Sequence, residues 1–373
     1  MSSDQLERIS FLKFLLSIDG IGPQKIFSIL SRFNTLESFQ NSSPKSLLSI
    51  DGISKTLYQR IISSKKNINE IKKAAIEELS RLEKLNAKAT TFWDEDYPLM
   101  LKEIYSPPII IYSLGSFSAE DYNSIAIVGT REPTLYGKIE AERFSTELAE
   151  RKVTIISGLA RGIDSAAHNG ALKSGGRTIA VTGSGLDIVY PPENKKLYHQ
   201  IIENGLIISE YPLGTKPDAQ NFPKRNRIIS GLSLGTLIIE TRLNGGAMQT
   251  AAYALDQGRE VFAVPGNINS KQSEGPNLLI QRGEAKLTFC TEDIIDELKN
   301  RLKLKNHEKP ATPGVELNLF EDKILSIIKN EPKHIDEIAL ITSIPVSDCL
   351  VHLLMLEFKG LVVQLPGKVF RIN

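Results

Sequence analysis

The chain has 373 residues, 41% hydrophobic and 24% charged, with a formal net charge of +1 at pH 7. That length predicts two or three domains of an ordinary globular protein, and basic and acidic residues balance within each of 1–122, 123–300 and 301–373, so no segment is a basic tail and any affinity for nucleic acid must come from local clustering. No apolar run reaches the ~18 residues of a membrane span, the opening MSSDQLERIS is no secretory signal, and Cys290 and Cys349 form neither a disulfide framework nor a metal site, so a cytoplasmic protein without metal or cofactor is expected.

Residues 1–86 read as helical, rich in Leu, Ile and Lys without strand alternation. They carry an internal repeat: SIDGIG starts at Ser17 and SIDGIS at Ser49, each between an apolar helix end and an amphipathic stretch. Two helices joined by a glycine turn, twice over, resemble helix-hairpin-helix motifs, whose turn amides can hold a phosphate. The first copy has Gly20 and Gly22, the second Gly52 and Ser54. The simpler reading is a small bundle that uses these glycines as helix stops.

From Ser124 the texture changes. Short apolar runs appear at 124–130, 153–158, 177–183, 206–210, 235–240 and 260–266. Helical stretches lie between most of them: Leu135–Arg151, Ala160–Lys173, Asn194–Asn204, Pro223–Leu232 and Gly246–Gln257. Strands apolar on both faces that alternate with helices predict an α/β domain, a doubly wound and mostly parallel sheet, over 87–300. Residues 301–317, charged and with two prolines, read as a linker. Residues 318–373 predict three helices and a β-hairpin, a winged helix. Its third helix holds Leu350, Val351, Leu353, Leu354, Met355 and Leu356 and is apolar nearly all round, which suits packing or protein contact rather than reading a DNA groove.

The strand ends carry the candidate chemistry. Crevices at the carboxyl ends of parallel strands bind ligands, and each following helix offers free N–H groups to an anion. Arg131 follows the first strand, Arg161 the second, and Lys224, Arg225 and Arg227 stand in NFPKRNRIISG, at the head of the helix before GTLIIE. Cations belong at the other end of a helix, so this cluster needs a reason, and a phosphate chain supplies one. Lys224 and Arg227, three apart, share a helix face and are expected on one phosphate run, while Arg225 points elsewhere and either joins them or braces the neighbouring loop. Phe222 reads as core or as a base-stacking platform. GTREPTLYG is neither G-x-G-x-x-G nor a P-loop, and VTGSGLD, with Ser184, is not the G-x-S-x-G nucleophile elbow. His168, mid-helix, reads as a packing or surface histidine, with Asp164 placed to hydrogen-bond it.

Three stretches then carry a family resemblance: GTREPTLYG (129–137), SGLARGIDSAAHNGAL with TIAVTGSGLDIVYPPEN (157–194), and SEYPLGTKPDAQNFPKRNRIISGLS (209–233), together with GREVFAVPG and GPNLLIQRG. They look like the DNA-processing protein A family (DprA, also called Smf), over roughly residues 90–300. The resemblance implies an extended Rossmann-like fold, binding of single-stranded DNA without sequence preference, a homodimer, loading of the RecA recombinase during natural transformation or recombination, and no enzymatic turnover. It implies a DNA site at Gly129, Thr130, Arg131, Ser157, Gly158, Arg161, Phe222, Lys224, Arg225, Asn226 and Arg227. Gly245 stands where the family commonly has serine, which removes a hydroxyl contact and leaves the backbone turn. A competing reading is an enzyme: GLSLGTLIIET (231–241) is similar to the Gly-Thr-x-x-Glu stretch of phosphoribohydrolases, with Glu240 as the catalytic carboxylate. Ser233-Leu234 in place of that family's Gly-Gly counts against it.

Overall fold

The computed structural model describes residues 3–303, 318–328, 331–359, 361–365 and 367–372, so most of the expected linker, 304–317, lies outside the described residues. The chain divides into two units, Met1–Leu304 and Lys305–Asn373.

The first unit opens with helices α1 (Ser3–Leu16), α2 (Pro23–Leu30), α3 (Leu36–Gln40), α4 (Pro44–Leu48), α5 (Lys55–Ser64) and α6 (Ile68–Lys84). The two repeats are the α1–α2 and α4–α5 turns. Gly20 and Gly52 sit at φ +91° and +80°, a left-handed conformation that favours glycine. Ser54 caps α5 by accepting from the Leu57 amide. Neighbouring cations close the first turn: Lys25 donates to the Gly20 carbonyl and Arg60 to that of Asp19. The buried Ile9, Leu12, Ile26 and Ile61 share one apolar cluster with Ala89, Tyr112 and Ile207. The helical segment therefore packs directly on the sheet that follows.

That sheet has nine strands: β1 (Ala87–Thr91), β2 (Ile110–Gly115), β3 (Ser124–Val128), β4 (Thr154–Ser157), β5 (Thr178–Thr182), β6 (Gly205–Ser209), β7 (Gly235–Ile238), β8 (Glu260–Ala263) and β9 (Lys286–Leu287). Their order is β1-β2-β6-β5-β4-β3-β7-β8-β9. The apolar runs anticipated β3 to β8, which are mutually parallel; β1 and β2 add an antiparallel edge. Every residue of β3, β5 and β6 is buried, because alternate side chains enter two cores. Ala126, Val128 and Ile156 point into one, Ile125, Ile127 and Ile155 into the other. The covering helices are α7 (Leu99–Lys102), α8 (Leu135–Glu150), α9 (Ile163–Lys173), α10 (Lys195–Asn204), α11 (Asn221–Gly231), α12 (Gly246–Asp256), α13 (Glu274–Gln281) and α14 (Thr291–Leu298). The connections leaving β3 lead toward β4, β5 and β6, whereas β7 leads away toward β8. The β3/β7 boundary is thus the topological switch point, where open α/β sheets place ligands.

The second unit holds α15 (Leu319–Ile328), β10 (Lys333–His334), α16 (Ile335–Thr342), α17 (Val346–Phe358), β11 (Val362–Leu365) and β12 (Val369–Ile372), with strand order β10-β12-β11. Ile324, Ile338, Leu353, Leu356 and Phe370 form its core. It is a winged helix. No single helix among the described residues is long and apolar enough to cross a membrane.

His168 lies fully buried on α9. Its Nδ1 stands 2.7 Å from Thr178 Oγ1, and that hydroxyl donates to the Ile155 carbonyl, so Nδ1 carries the proton. Asp164 does not bond it, contrary to the sequence expectation. Burial first, and then Arg225, push the imidazole down to about 3. The unfolded chain takes up a proton as pH falls through about 6.5, and the native state does so only near 3, so stability is lost across that window at about 1.4 kcal/mol per pH unit. His168→Gln should remove about 3 kcal/mol of the loss between pH 6.5 and 4, read from urea unfolding; parallel pH profiles for the two proteins would refute this.

Candidate nucleic-acid interface at the strand ends

A cleft of about 960 Å³ opens at the switch point. The loop after β3 (Gly129, Thr130, Arg131) forms one wall, the head of α11 (Phe222, Asn226) a second, and the turn into α12 (Gly245, Gly246) a third. Three main-chain constraints fix the first wall. Thr130 donates its amide to the Glu240 carbonyl and accepts from the Ile163 amide, and a Cβ on Gly162 would collide with the Thr130 carbonyl oxygen. Gly129 has no room for a side chain against Ile163.

Arg131 projects from this wall into solvent. It has no ion pair among the described residues, and its guanidinium lies 5.5 Å from the centre of the Phe222 ring. Phe222 is half-buried and pairs with Tyr190 at 5.5 Å between centroids, so it forms an aromatic wall rather than core. Asn226 is half-buried and donates to the Gly246 carbonyl at 3.3 Å, tying α11 to the turn before α12.

The three cations of NFPKRNR separate. Lys224 is exposed and has no ion pair among the described residues. Arg225 turns inward, 3% exposed. It donates to the Gly158 carbonyl at 2.6 Å and to that of Val181, joining the ends of β4 and β5 to α11. Burial pushes its guanidinium down to about 10, with Asp164 opposing, so it stays charged at neutral pH. Asp164 is raised by the same burial. Arg225 and the amides of Gly158 and Ala160 pull it back. Arg227 reaches the Glu210 carboxylate at 2.5 and 2.7 Å. The expectation that Lys224 and Arg227 share a phosphate run is therefore corrected: Arg227 is held by its own acid, and Lys224 alone of the three stays in solvent.

The second segment also differs from expectation. Ser157 is fully buried and donates to the Ile127 carbonyl. Gly158 gives its amide to Asp164 and its carbonyl to Arg225. Both support the cleft from beneath. Arg161 is exposed and ion-paired with Glu193.

Models of known families place this architecture. The DNA recombination-mediator protein A model matches residues 88–299, a DprA winged helix domain model 308–368, and a SAM-like helix-hairpin-helix tandem model 12–67. The chain is 34% identical to protein Smf of a Synechocystis strain over 94% of its own length and 95% of that protein's. It belongs to the DNA-processing protein A (DprA/Smf) family. It is 43% identical to DNA processing protein DprA of Bacillus subtilis, over 56% of this chain and 70% of that one. The solved structure of Streptococcus pneumoniae DprA superposes with a TM-score of 0.68 at 32% identity, covering 80% of this chain and 99% of that one. DNA processing protein A of Helicobacter pylori, whose structure addresses a single-stranded DNA binding mode, gives 0.52 at 33% identity, over 57% and 96%.

In this DprA-family chain several residues that shape the cleft escaped sequence reasoning. Tyr190 lies beyond β5, and nothing local marks it as Phe222's partner. Arg242, Glu132 and Glu274 also stand on the cleft. Glu240 is 1% exposed, and both its carboxylate oxygens accept from Thr134, the N-cap of α8. A carboxylate against a helix N-terminus is electrostatically favoured, so α8 has already been given its anion. The helical segment reaches the site indirectly. Glu78 of α6 contacts the Lys13 ammonium and accepts from the Leu213 amide at 3.0 Å. Arg81 pairs with Asp187, which accepts from the Gly214 amide. These contacts pin the loop that delivers Asn221 and Phe222.

Arg225 and Arg131 should separate in stability measurements. Arg225→Met leaves Asp164 buried without its cation and should cost about 3–5 kcal/mol. Arg131→Ala should change stability by less than about 0.5 kcal/mol. Similar losses in denaturant titrations would contradict this division between brace and free cation.

Proposed function

We propose that this chain binds single-stranded DNA in the strand-end cleft, without sequence preference, and hands it to the RecA recombinase in the cytoplasm, acting as a homodimer. The observation that carries the reading is Arg131: an exposed cation, unpaired among the described residues, beside the aromatic pair of half-buried Phe222 and exposed Tyr190 at the switch point of the sheet. Arg131, Lys224 and Arg242 offer charge to phosphates. Phe222 and Tyr190 offer a face for a base, and stacking of this kind is worth about 1–3 kcal/mol. The α12 N-terminus, whose Gly245 makes no side-chain cap, faces the same space with free amides. Exposed cations beside an aromatic face suit backbone and stacking recognition. The relative from Helicobacter pylori supports the choice of ligand.

The hydrolase reading is not supported. The Glu240 carboxylate is 1% exposed, each of its oxygens accepts from Thr134, and it lies so close over Gly137 that a Cβ there would strike it, an arrangement that suits a structural carboxylate better than a catalytic one.

Anisotropy titrations of a labelled oligo-dT at several salt concentrations test the proposal. Arg131→Glu should weaken binding at low salt and reduce the slope of log K against log salt by about 0.7 for each phosphate that is no longer neutralised. Phe222→Ala should cost about 1–3 kcal/mol with the slope unchanged. Glu240→Gln should leave affinity within about twofold, and neither the parent protein nor this variant should release base from nucleoside monophosphates. Unchanged affinity in both Arg131→Glu and Phe222→Ala would remove the site from this cleft.

A further inference from the structure

We propose that the winged-helix unit pairs with a second copy of itself through the outward face of α17. The inner face of this helix, Cys349, Leu353 and Leu356, is fully buried in the unit's own core. Its outer face is apolar as well. Val346, Leu350, Val351, Leu354 and Met355 are 38–56% exposed, and Leu340 and Ile341 at the end of α16 continue the patch at 82% and 51%. These exposed parts sum to roughly 600 Å², the size at which a surface patch on a monomer signals a function.

The pattern of the face selects the occupant. From Val346 to Phe358 the helix contains no Lys or Arg, while Asp348 and Glu357 are acidic. A nucleic-acid backbone would therefore meet apolar and negative groups, although this is the element that lies in the groove when helix-turn-helix proteins read DNA. Val346, Leu350 and Leu354 recur every four residues. A two-fold axis across the middle of α17, near position 352, exchanges 350 with 354. An apolar row therefore lies against the same row of the other copy. This is the self-complementarity an isologous contact requires, and i±4 ridges are the rows that interdigitate most often between helices. The two Glu357 side chains fall at opposite ends of such a contact and do not face each other. Two copies would bury about 1,200 Å² in total, the lower end of a standard specific interface.

Disulfide trapping in the full-length chain tests this. Leu350→Cys and Leu354→Cys are made separately with Cys290→Ser, and the buried Cys349 is kept. The two-fold sets 350 opposite 354, so under mild oxidation a one-to-one mixture should form disulfide-linked chains at least fivefold faster than either variant alone. A mixture no faster than the single variants would overturn the proposal, even if the chain were dimeric through another surface. Leu354→Glu, at an exposed position where folding is retained, should weaken self-association in sedimentation velocity at least tenfold. Unchanged self-association, or an α17 face protected by another part of the same chain or by a different protein, would equally overturn it.

Discussion

The site depends on one buried guanidinium. Arg225 places a full charge where the ends of β4 and β5 meet α11, and it satisfies the carbonyls of Gly158 and Val181. A charge in such a place is tolerable only when it is paired and hydrogen-bonded. Asp164, itself held by two amides of the same loop, supplies the opposite sign. This arrangement sets the height of α11 above the sheet and hence the position of Phe222. It also fixes the loop after β4, which carries Arg161. Arg131 and the aromatic pair can then face solvent from a rigid frame, as a preorganised binding surface requires.

The frame also allots its anions. The N-terminus of α8 has Thr134 and Glu240, Arg227 has Glu210, and Arg161 has Glu193. Arg131, Lys224 and the uncapped start of α12 remain for a ligand. Much of what resembles a diffuse basic region in sequence is thus neutralised within the fold, and the charge left for DNA is concentrated on two rims of the cleft. The helical segment belongs to the same frame. Through Glu78, Arg81 and Asp187 it holds the loop entering α11, so the helix-hairpin-helix repeats act on the site through packing, whatever their own turns bind.

Much of the fold was legible because its signals are local. Six short apolar runs separated by amphipathic stretches specify a parallel α/β sheet, and the winged helix followed from three helical stretches and a β-hairpin. The antiparallel strands β1 and β2 were not legible. AKATT is too polar to announce a strand, and its burial comes from the helices packed on it. At the site, sequence located the right segments but could not assign partners. Helical spacing paired Lys224 with Arg227, yet side-chain direction was decided by Glu210 and by two carbonyls from strands far away in sequence. Ser157 and Gly158 stand where a ligand-binding loop is expected, and burial turned them into supports. Tyr190 had no local signature, since it acts on a residue more than thirty positions away, and the local motif around Glu240 gave no sign of its partner Thr134.

The most direct test of the central claim, that single-stranded DNA lies over the strand ends, is photocrosslinking of a 5-iodouracil-substituted single strand to the full-length protein, with adducts mapped by mass spectrometry. The account predicts adducts on Phe222 or Tyr190. Adducts confined to the helix-hairpin-helix turns near Gly20 and Gly52, or to the winged helix, would contradict it.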